Sequence, residues 1–152
     1  MFYKMIENKC KEWYSSDQCT VRNLIEYIEK TGQMRDAQIE AIKVYLFLKI
    51  GCECKPLEFL FRYGCFNSIN LNDIELSTAT REYLEENPAA TALFEYSRLT
   101  NDKGEQVSEK LEKQIKKDPS SIDYDAFFRT AFYGVSYTDY LFSLPMGAGK
   151  TY

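Results

Sequence analysis

The chain has 152 residues, a net charge of −4, 45% hydrophobic content and 15% aromatic content. That length suits one domain with an ample core, and the acidic balance excludes a standalone nucleic-acid binder, which carries a concentrated basic face. Twelve tyrosines and ten phenylalanines against one tryptophan predict helix packing rich in Tyr and Phe, with polar ring tips that need partners. The first nine residues lack the uninterrupted apolar core of an export signal, and the most apolar run, residues 44–50, is interrupted by Lys49 and far too short for a membrane span. A cytoplasmic chain that does not enter a membrane is expected. Five cysteines, an odd number, then read as buried reduced thiols rather than a disulfide framework. With no histidine in the chain, the spacing of Cys52, Cys54 and Cys65 is not a usual structural zinc pattern.

The elements are predicted in chain order from apolar spacing and from start and stop residues. Val21, Leu24, Ile25 and Ile28 recur at helical spacing over 21–30, with Thr20 as N-cap and Thr31 and Gly32 as the stop. A broader apolar face, including Ile39, Ile42, Tyr45, Leu46 and Leu48, predicts a largely buried helix over 35–50 that ends at Gly51. After Pro56, residues 57–63 form a compact helix closed by Gly64, and 67–73 are rich in turn residues. Residues 78–86 are helical in composition. Asn87 and Pro88 supply an N-cap and a first-position proline for a helix over 89–99.

A polar turn at 101–104 precedes a helix over 105–117, whose Val107, Leu111 and Ile115 make a narrow apolar stripe. Its lysines are interleaved with Glu105, Glu109 and Glu112, which reads as a solvated face rather than a DNA ridge. Residues 118–121 break the chain. Asp123 or its neighbour caps a helix over 124–133 that stops at Gly134, with Phe127, Phe128, Ala131 and Phe132 on one face. Trp13 and Tyr14 are read as core. Residues 137–144 are short, aromatic and without helical spacing, and predict a strand that runs into a glycine-rich loop.

That loop is Pro145, Met146, Gly147, Ala148, Gly149, Lys150 and Thr151. A bound triphosphate needs converging backbone N–H groups, a cation between its terminal phosphates and a hydroxyl on its magnesium. Gly147 and Gly149 permit the close backbone approach, Lys150 supplies the charge, and Thr151 supplies the Mg2+ ligand. Leu144 stands where the strict phosphate-loop pattern has its first glycine. This relaxed form after an apolar strand resembles motif I of superfamily 2 helicases.

A second stretch supports the resemblance. Met34, Arg35, Asp36, Ala37 and Gln38, followed by Ile39, Glu40, Ala41 and Ile42, are similar to the LRxxQxxAI segment that precedes motif I in DEAD/DEAH-box helicases, including the restriction subunits of type III restriction enzymes. Read alone, Gln38 is a polar residue at the start of an amphipathic helix. The resemblance implies that Gln38 reads the adenine edge through an amide that both donates and accepts, with Arg35 beside it.

It further implies ATP and Mg2+ as ligands, Lys150 as the catalytic cation, DNA as the partner of the whole enzyme, and a modification or specificity subunit as a protein partner. The expected architecture is mainly α: a bundle-like helical region leading into the first strand and phosphate loop of an incomplete α/β helicase core. Residues 1–55 would be a helical segment carrying the Gln38 helix, 56–134 an inserted helical domain, and 135–152 the strand and loop. The acidic motif and second lobe of such an enzyme do not occur in the sequence, so the chain is expected to be the amino-terminal portion of a motor and inactive alone. Two other readings stand beside this one: another phosphate-loop ATPase family, and a non-enzymatic helical interaction module.

Overall fold

The structure, a computed structural model, describes residues 2–101 and 103–134. They are mainly α, with eight α-helices: α1 Phe2–Ser15, α2 Arg22–Thr31, α3 Asp36–Leu46, α4 Leu57–Arg62, α5 Thr78–Glu86, α6 Pro88–Arg98, α7 Glu109–Lys117 and α8 Tyr124–Ala131. Among the described residues there is no strand, only an isolated antiparallel bridge between Thr100 and Gln106. No described helix is long and apolar enough to cross a membrane. The expected strand over 137–144 lies outside the described residues. The described chain divides into two compact units, one of residues 6–55 and one of residues 56–134 joined by the first turn of α1.

In the unit of residues 6–55, Ile6, Cys10 and Trp13 recur along α1 and are all buried, a helical periodicity the sequence reading did not delimit. The Arg22 guanidinium donates to the carbonyl oxygens of Tyr14 and Ser16, answering groups that the end of α1 leaves without intrahelical donors. Thr20 does not cap α2. The flanking position falls to Val21, which offers no side-chain acceptor. Helix α2 packs on α3, and α3 does not stop at Leu46 but widens into a π-helical turn over Phe47–Gly51. The turn brings Phe47 beside Trp13, with ring centroids 5.6 Å apart. Gly51 is required there, because a Cβ would lie 2.8 Å from the Phe47 ring and 3.0 Å from Trp13 Nε1.

The second unit is arranged around α6, which packs against α4, α5, α7 and α8. Every residue of α6 from Ala89 to Glu95 is buried, as is Ser97. Asn87 caps it as expected, accepting from Ala90 N at 3.1 Å, with Pro88 in the first turn. The expected Phe and Tyr packing is found here. Phe2 stacks on Tyr96 at 4.0 Å and meets the Phe61 edge at 4.9 Å, while Phe61 also contacts Phe66, Phe128 and Phe132. Gly64, at φ +69°, closes α4 in a left-handed conformation, where a Cβ would lie 2.9 Å from Pro88.

Helix α7 begins at Glu109, four residues later than its composition suggested, because Ser108 accepts from Leu111 N at 3.2 Å and caps it there. Residues 105–107 instead turn back on the chain: Val107 N donates to Leu99 O at 2.8 Å, and Asn101 accepts from Lys103 N and Glu105 N. Asp123 caps α8 as expected, accepting from Ala126 N at 2.9 Å. The helix ends at Ala131, short of residue 133, since Tyr133 and Gly134 both take positive φ. Three thiols, Cys10, Cys19 and Cys52, are buried; Cys54 and Cys65 are exposed, against the expectation that all would be interior.

Candidate functional site

Of the residues expected to hold a nucleotide, Arg35 and Gln38 are described. Pro145, Met146, Gly147, Ala148, Gly149, Lys150 and Thr151 lie outside the described residues. Arg35 is extended (φ −81°, ψ 155°) and takes the N-cap position of α3, where its long side chain cannot act as the usual short acceptor. Gln38, in the first turn, supplies the missing bond: its Oε1 accepts from Arg35 N at 2.8 Å. Gln38 is half-buried and Arg35 exposed, so both side chains can be reached from solvent. Beside the helix start lies a cavity of about 270 Å³ lined by Glu29, Met34, Asp36, Ile39 and Glu40. Three carboxylates around one apolar wall are unsuited to phosphate and compatible with a group that donates hydrogen bonds.

The cavity's two glutamates are held by a lysine that the sequence reading passed over. Lys43 Nζ lies 2.7 Å from Glu29 Oε1, 3.3 Å from Glu40 Oε1 and 4.8 Å from the Tyr14 ring centroid. Burial opposes the Lys43 charge, but the bonds to Glu29 and Glu40 outweigh it and hold the ammonium above its ordinary range. The Tyr14 hydroxyl is raised by its own burial and then by Glu29. Burial, with Glu40 next, pushes the Cys10 thiol up to about 12, which leaves it protonated and a poor nucleophile. The local spacing of Glu40 and Lys43 signals one of these contacts. Glu29 is contributed by another helix, so only the tertiary packing of α2 on α3 completes the cluster.

The second unit holds two further polar arrangements. Glu95, buried on α6, accepts from Ser68 N at 2.9 Å, Ser68 Oγ at 2.6 Å and Ile69 N at 3.1 Å. It therefore fastens the segment before Leu71–Asp73 to the central helix, a structural use of a buried carboxylate. A cleft of about 340 Å³ opens where the ends of α4 and α5 meet the start of α8. In it Arg62 grips Asp125 through two bonds of 2.7 Å, with Glu58 at 3.3 Å. Arg62 thereby holds the Asp125 carboxyl below its usual range, and Asp125 raises the guanidinium in turn. Burial raises the Tyr124 hydroxyl, which donates to Pro119 O at 2.6 Å.

No protein-family model matches the chain, and no curated protein or solved structure shows significant similarity to it. Among the described residues no group of three or more Cys, Asp or Glu side chains is placed to hold a metal ion.

Proposed function

We propose that the chain contributes the adenine-reading and phosphate-binding elements of an ATP-driven DNA helicase or translocase of the DEAD/DEAH-box, type III restriction-like kind. The observation that carries this reading is the run of Pro145, Met146, Gly147, Ala148, Gly149, Lys150 and Thr151 behind an apolar, β-prone stretch. In such a loop Lys150 places its charge between the β and γ phosphates, and the Thr151 hydroxyl faces Mg2+. The half-buried Gln38 amide at the first turn of α3 is in keeping with the adenine role, since an amide can both donate and accept and the side chain is reached from solvent. DNA and a modification or specificity subunit would be partners of the whole enzyme.

The test is ATP binding and hydrolysis by the full-length protein. Lys150→Ala should abolish hydrolysis, and an unchanged rate would end the helicase reading. Gln38→Ala alone would confuse two effects, because it also removes the bond to Arg35 N. Gln38→Glu separates them: it keeps a carboxylate oxygen for the helix start and removes the amide donor. Gln38→Glu also keeps an acceptor for the adenine exocyclic amine but meets guanine O6 with a carboxylate, so it should weaken GTP more than ATP without lowering stability, and equal weakening would remove the adenine role.

A helical interaction module is the second reading, favoured by Leu24 and Tyr27, which stand one turn apart on α2 and are 51% and 64% exposed. It predicts that Lys150→Ala changes nothing while substitutions at these two positions abolish partner binding.

A further inference from the structure

We draw no further inference here: the strongest candidate, the exposed apolar patch that Leu24 and Tyr27 form on α2, carries none, because nothing among the described residues shows what covers it.

Discussion

Cys54 and Cys65 are exposed while Cys10, Cys19 and Cys52 are buried, and burial together with Glu40 pushes the Cys10 thiol up to about 12. Alkylation requires both access and a thiolate. Under native conditions an alkylating reagent should therefore modify Cys54 and Cys65 first, with Cys10, Cys19 and Cys52 reacting only as the chain unfolds. Mass spectrometry of a labelling time course checks this, and early labelling of Cys10 would contradict its placement. The sequence shows five thiols and the absence of a zinc pattern, yet nothing in local spacing separates the exposed pair from the buried three. Cys52 and Cys54 are two residues apart and differ in exposure because the chain turns sharply through positive φ at Glu53 and Cys54. Gln38 is the opposite case. Its place at a helix start was legible, but its bond to Arg35 N follows from Arg35 taking a cap position it cannot fill with its own side chain.

Helix α6 shows how an element's existence and its role are encoded separately. Asn87 and Pro88 announce its start, because an amide oxygen satisfies the Ala90 N–H and proline needs no donor in the first turn. Its run of small and apolar residues does not reveal that four helices will cover it. Nor does Glu95 look interior until the Ser68 and Ile69 donors are brought to it from 27 and 26 residues away. Replacing Glu95 with Ala should destabilise the fold by about 2–4 kcal/mol, because three donors lose an ionised acceptor and a cavity opens. A urea midpoint lowered at unchanged slope would register the loss, and a shift within about 0.5 kcal/mol would show that Glu95 is not holding the loop. Helix α7 teaches the converse at its start. Alternating Glu and Lys make residues 105–117 helical in composition, but the Ser108 cap and the Val107 bond to Leu99 O fix the start at Glu109.

At the scale of the whole molecule, two carboxylates tie stability to pH. Burial would raise Glu112, but bonds from Lys116 and Gln106 and the Arg98 charge outweigh it, so its pKa is lowered. Asp125 is lowered by the Arg62 bond. A carboxylate lowered in the folded state binds protons more readily when unfolded, so its stabilisation is present above the ordinary carboxylate range near about pH 4 and is lost as pH falls through the folded value. Stability should fall as acid is added below that range, and Glu112→Gln should flatten the fall; thermal melting across the pH series measures both. What the amino-acid sequence determined by itself was local: a mainly helical chain, caps at Asn87 and Asp123, stops at Gly32 and Gly64, and an aromatic core. Those properties depend on neighbours a few residues away, where spacing and cap chemistry act directly. The tertiary structure alone decided that α6 is the buried centre, that Glu29 reaches Lys43, and that Arg62 meets Asp125 across 63 positions. Such contacts join residues with no sequence relation, and they exist only once apolar faces have been packed together and water has been removed from between them.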